Sequence, residues 1–221
     1  MARRDRAGRP GRAAVRVRLA SRTPARRPRP LNTSAPPAAP DNVVTRWFGG
    51  AFSQLHPLLQ DLHRRGGTLR GTVRLSTGRG LAAAFGRRLA RRLGLPLQRD
   101  RCAFVVDVVH EGDAMLWQRR FDDGAEMISR FVPYGAFPAG GWIERTGPLQ
   151  LDLGVDIADG GWHWRLRGAR WRGLPLPASL LPRTEAGKRI IDGRYDFVVD
   201  FRLPLLGRIL RYEGVLDADT R

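Results

Sequence analysis

The 221-residue chain is predicted to be an α+β domain. Its strongly curved, mostly antiparallel sheet or partly closed barrel has about eight or nine strands, with two N-terminal helices packed on it or plugging it. Three observations predict this. The apolar period changes from helical to alternating after Pro96 and stays so to the C-terminus. The alternating runs are mostly joined by short turns, and strands so joined must be antiparallel. That many strands twist and must hide their edges, so a bent sheet with a helix over one opening follows.

Residues 1–46 hold twelve arginines, two aspartates and seven of the sixteen prolines. With so few large apolar residues they are expected to be a disordered basic tail, and residues 47–221 a single globular domain. The pattern begins abruptly at Trp47. One reading places the translation start near Val43 or Val44; the other keeps the tail as a binder of an anionic partner, nucleic acid or membrane surface. Arg3-Arg4 is followed by no apolar segment of a secretory signal.

Phe52, Leu55, Leu58, Leu59 and Leu62 recur at helical spacing up to Gly66-Gly67, with Pro57 suited to the first helical position. Leu69, Gly71, Val73 and Leu75 alternate with Arg70, Thr72 and Arg74, a strand with one wet face. A second helix over Leu81–Leu93 sets Leu81, Ala84, Phe85, Leu89 and Leu93 on one stripe, and Arg87, Arg88, Arg91 and Arg92 on the other side. Strands are then expected at Cys102–His110, Ala114–Phe121, Ala125–Phe131, Trp142–Arg145, Leu149–Ile157 and Trp162–Leu166. Leu174–Arg183 carries too many prolines for a central strand and reads as an extended crossover with a turn of helix. Tyr195–Leu203 and Leu210–Leu216 complete the set.

The formal charge is +18, and Lys188 is the only lysine among 39 basic residues. Such an arginine bias points to a G+C-rich genome before it points to a basic function. No stretch approaches the roughly 20 apolar residues of a membrane span, so a cytoplasmic protein is expected. The single cysteine, Cys102, rules out an intrachain disulfide framework and cysteine-based zinc sites, and reads as a buried inert thiol.

Gly78-Arg79-Gly80-Leu81-Ala82-Ala83 matches a dinucleotide fingerprint between strand and helix, with Asp100 near the position of a ribose-binding acid. Against it, the strand at Leu69–Leu75 carries polar residues at alternate positions, unlike one buried on both sides, and hairpins follow where further βαβ units would be needed. No cofactor and no metal are therefore assigned. His56 and His63 stand too far apart along a helix to hold one ion and read as structural or site-edge residues; His110, Glu111 and Asp113 read as a solvated turn. The ligand-binding candidates are Trp117, Arg119, Glu144, Arg145, Trp164, Arg183, Arg194 and Tyr212, with Asp192 at the site's edge. Aromatics with a few charged anchors facing a barrel interior are the usual form of a small-molecule site; the competing reading is core filling and bracing of strand ends.

Several stretches, taken in order, carry a resemblance. They are Leu55-His56-Pro57 with Leu62-His63, Trp117-x-Arg-x-Phe121, and Glu144-Arg145-x-Gly147-Pro148-Leu149. Gly173-Leu174-Pro175-Leu176-Pro177 with Leu180-Leu181-Pro182-Arg183, Asp192-Gly193-Arg194, Leu203-Pro204 and Tyr212-x-Gly214 follow. Over about Phe52 to Leu216 the chain is similar to a bacterial family known as domain of unknown function 4166, whose members occur alone or C-terminal to saccharopine-dehydrogenase-like proteins. The resemblance brings no catalytic residues. The leading expectation is non-catalytic binding of a small hydrophobic or amphipathic molecule in the concave side of the sheet. An accessory module for an NAD(P)-dependent oxidoreductase of that type, or an enzyme with Glu144 or Asp192 as general base, are the alternatives; nucleic acid is expected to bind only through the tail.

Overall fold

The structure, a computed structural model, describes residues 41–221. Of the tail expected to be disordered, residues 1–40 lie outside that range. The expected boundary at Trp47 is overshot by a short helix, α1 (Val43–Phe48). Asn42 Oδ1 accepts hydrogen bonds from the backbone N–H groups of Val44 and Thr45, at 2.8 and 3.1 Å, and Thr45 Oγ1 accepts one from Asn42 N–H. This reciprocal cap stabilises a helix too short to show a period in sequence. α2 (Pro57–Arg65) begins at Pro57 as predicted, with His56 as its N-cap. Phe52, expected on that helix, precedes it in a 3-10 turn at Gly49–Gln54.

Eleven strands follow, more than the eight or nine expected. They are β1 (Gly67–Thr77), β2 (Arg101–Glu111), β3 (Ala114–Phe121), β4 (Glu126–Tyr134), β5 (Gly141–Thr146), β6 (Leu149–Ala158), β7 (Gly161–Trp171), β8 (Leu174–Pro175), β9 (Arg183–Ile191), β10 (Arg194–Leu203) and β11 (Gly207–Thr220). Every pairing is antiparallel. β1 to β7 pair in succession, β7 pairs with β9, and β9, β10 and β11 return to β1, closing a ring of ten strands with β8 as a short appendage on β7. Closure removes the exposed edges that a merely curved sheet would leave. The strands missed from sequence are the two-residue β8, within the stretch read as a crossover, and β9: the outward face of β9 carries Arg183, Glu185 and Arg189, and its only fully enclosed residue is Lys188. No apolar alternation marks it.

Both mouths of the barrel are covered. At one, α1, the 3-10 turn and α2 insert an aromatic plug: Trp47 packs on Trp142 with centroids 5.3 Å apart, and Phe48 on Trp162 at 4.8 Å. Across the other lies α3 (Gly80–Leu93), which runs from Ile209 at the start of β11 to Glu126 at the start of β4 and the turn between β5 and β6. Its buried face corrects the expectation. Ala82, Ala83, Gly86, Ala90 and Leu93 pack inward, whereas Leu81 and Phe85 are 78% and 48% exposed. At Gly86 the helix presses so closely that a Cβ would stand 1.8 Å from the Ile209 carbonyl oxygen. Contact is with backbone, so the small-residue face wins over the bulky one. Among the described residues no helix is long and apolar enough to cross a membrane.

Candidate functional site

Alternation along β3 turns Trp117, Arg119 and Phe121 into the barrel, and Arg119 is only 5% exposed there. Cross-strand register explains its surroundings. Ser129 on β4 is opposite both Trp117 on β3 and Thr146 on β5, and Glu144 shares the face of Thr146 two residues away. Arg119 Nη1 donates to Ser129 Oγ at 2.7 Å, and the Ser129 and Thr146 hydroxyls are hydrogen-bonded. Thr146 Oγ1 donates to Glu144 Oε1 at 3.1 Å, so the Ser129 proton must point to Thr146. A one-way chain thus links guanidinium to carboxylate without a direct ion pair. Arg119 lies 5.1 Å from the Trp117 ring centroid and pairs with no carboxylate among the described residues.

A second cation stands nearby. Lys188 on β9 is opposite Trp162 on β7, both facing inward. Its Nζ lies 3.8 Å from the Trp162 ring centroid, 4.5 Å from Trp117 and 5.6 Å from Trp164. At 2.7 Å it meets Nε2 of His63, which projects from α2 and is wholly buried. His63 Nδ1 is 2.9 Å from the Leu59 carbonyl oxygen, an acceptor, so the ring proton belongs on Nδ1 and Nε2 accepts from Lys188. Burial, reinforced by Arg119, holds the Lys188 amine well below its ordinary proton affinity, and burial with Lys188 does the same for His63. Tyr195 Oη and Trp117 Nε1 are buried without a hydrogen-bond partner among the described residues. Burial pushes the Tyr195 and Tyr212 phenols up.

Arg119, Lys188, Tyr195 and Tyr212 line a cavity of about 90 Å³, walled chiefly by Phe104, Phe131, Phe197, Leu153 and Trp164, with Leu93 reaching it from α3 and Leu95 from the segment after it. Drug-sized pockets are roughly 300–1,000 Å³, so this space suits a molecule of only a few heavy atoms. The interior is otherwise filled by side chains. Lys188 marks its inner end, because its neighbours His63 and Trp162 belong to the aromatic plug and do not line it.

Of the residues singled out from sequence, Trp117, Arg119, Glu144, Trp164 and Tyr212 are on the cavity wall. Arg145, Arg183 and Arg194 are exposed and off it; Arg194 pairs with Asp217 at 2.7 Å, and Arg145 Nε donates to Gln150 Oε1 at 3.3 Å. Asp192 occupies the exposed turn between β9 and β10 with φ of 49°. His56 caps α2, its Nδ1 accepting from Leu58 N–H at 3.2 Å. Sequence reasoning passed over Lys188 and Tyr195. The signal for Lys188 was available: it is the single lysine of an arginine-rich chain.

Gly78 of the fingerprint-like run abuts the Arg208 carbonyl on β11, and β1 has antiparallel neighbours on both sides. Close packing therefore accounts for that glycine. Among the described residues no three His, Cys, Asp or Glu side chains come together as a metal site. Cys102 is buried, its thiol pushed up to about 11 by burial and by Asp122 and Asp123. A family model described as a domain of unknown function, DUF4166, matches residues 55–216. No curated protein matches the chain.

Proposed function

We propose that this chain, which belongs to the DUF4166 family, binds a small amphipathic carboxylate inside its barrel. The observation that carries the reading is Arg119, a guanidinium held in an apolar cavity with one hydrogen bond and no carboxylate in ion-pair reach among the described residues. A buried cation left in that state is costly, and a ligand carboxylate supplies both the charge and the bidentate acceptors that its fork requires. Phe131, Phe197 and Leu153 offer the apolar body its contacts. Tyr195 Oη and Trp117 Nε1, without partners among the described residues, supply two more donors at the same wall. The volume limits the ligand to short chains.

Calorimetry and thermal melting with propionate and butyrate test this. Binding of either should raise the melting temperature, as any ligand selective for the folded state must. Arg119→Gln should weaken it by about 1.5–3 kcal/mol, the worth of a hydrogen bond to a charged group. Equal response to propylamine, or an unchanged affinity in the Arg119→Gln protein, would overturn the reading.

A further inference from the structure

The translated sequence uses arginine wherever a cation is wanted, with one exception, and that exception is enclosed in the barrel. The two side chains are not equivalent in such a place. Arginine stays charged at any accessible pH, whereas a desolvated lysine can exist as the free amine. Lys188 has no carboxylate partner among the described residues, lies against three indole rings, and hydrogen-bonds to a histidine whose acceptor nitrogen faces it. It also stands on the cavity wall with Arg119. A free amine in an apolar site beside a second cation is the arrangement that makes lysine a nucleophile toward carbonyl carbon.

We propose that the cavity takes small oxo acids and that the Lys188 amine condenses reversibly with their carbonyl to form an imine. This rests on the carboxylate reading of Arg119, which would hold the acid group while the carbonyl faces Lys188. The Nζ lone pair adds to the carbonyl carbon, forming the C–N bond and a carbinolamine. His63 Nε2, already 2.7 Å away, takes one proton from the nitrogen and passes it to the oxygen, which becomes the carbinolamine hydroxyl. The same imidazole relays the second nitrogen proton to that hydroxyl, which leaves as water, so C=O becomes C=N with no change of oxidation state. The depressed proton affinity of Lys188 agrees with this role.

Borohydride trapping of the purified full chain with glyoxylate, pyruvate or acetoacetate is the test, read by intact mass and peptide mapping. One reduced adduct on the Lys188 peptide is expected. Since Lys188 is the only lysine, the N-terminal amine is the sole competing primary amine. Lys188→Met should lose the adduct on that peptide, and Arg119→Gln should lower labelling at subsaturating pyruvate by about tenfold, a larger loss than for acetone, which has no carboxylate. The trapping rate should rise with pH at values below those of an ordinary lysine. Failure of all three acids to label the Lys188 peptide, with any adduct confined to the N-terminal peptide, overturns the proposal. If propionate binds but no oxo acid labels, the imine falls and the carboxylate site stands. If labelling occurs but propionate neither binds nor competes, the Arg119 reading falls instead.

Discussion

Lys188 and Asp200 are enclosed ionisable groups with opposite consequences for stability. Lys188 faces the interior without an anion among the described residues. Asp200 is on the outer face of β10, wholly covered by Arg202, Arg208 and Arg211, which lie 2.9, 2.9 and 3.2 Å from its carboxylate. Burial alone would raise the Asp200 carboxyl, but hydrogen bonds from Arg208 and Arg202 outweigh it and hold the group below its ordinary value. Asp200→Ala should therefore destabilise the fold by about 3 kcal/mol, measured by urea unfolding, because three clustered cations lose their common anion. Lys188→Met should do the reverse and stabilise by about 1–3 kcal/mol at pH 7, since a thioether of similar length needs no desolvation of charge. The pH dependences differ in sign. Lys188 has a folded pKa below the unfolded 10.5, so the unfolded chain binds the extra proton between the two values. Stability climbs with pH through that window, and the climb should be absent in Lys188→Met. Asp200 stabilises fully above the unfolded 3.8, and that part is lost as pH falls through its lower folded value. Composition marks Lys188 as the single lysine but says nothing of its burial, because β9 shows no alternation.

At the scale of elements, α3 separates what hydrophobicity implies from what fit requires. The apolar stripe of Leu81, Phe85 and Leu89 satisfies the helical period, yet the surface beneath α3 offers the backbone of Ile209, and only Ala82, Gly86 and Ala90 can approach it. Gly86→Val should destabilise by about 3 kcal/mol or more, since backbone and not a flexible side chain is in the way. Leu81→Gln, at a position 78% exposed, should change the urea midpoint by less than about 0.5 kcal/mol equivalent. The reversed ranking is what the sequence stripe alone would predict. α1 shows the complementary failure: its short span has no readable period, and its cap does the specifying. Asn42 Nδ2 also donates to the carbonyls of His63 and Arg64 at 2.9 and 2.7 Å, tying α1 to α2. Asn42→Ala should cost about 2 kcal/mol, at the upper end for a lost cap, with calorimetric melting as the measurement.

For the whole molecule, closure rests on pairing distant ends of the chain. β11 lies between β1 and β10, with Gly67 opposite Thr220. Removing residues 207–221 would open the ring, expose two strand edges and strip Leu210, Tyr212 and Leu216 from the interior. Loss of cooperative unfolding is the expected outcome, checked by whether near- and far-ultraviolet dichroism melt together. Closure also makes the site. Arg119 from β3, Glu144 from β5, Lys188 from β9 and Tyr195 from β10 share one cavity only because the ring brings their inward faces to a common centre.

The sequence by itself determined the antiparallel character, nearly all the strands, the start of α2 and the shared face of Trp117, Arg119 and Phe121, because period-two patterning and turn chemistry are local and are written residue by residue. Tertiary structure alone decided that the sheet closes, that α3 lies on its small-residue face, and that His63, Lys188 and three tryptophans meet. Those outcomes depend on which backbone surfaces can approach one another and on the desolvation of groups far apart in the chain, quantities that no local pattern encodes.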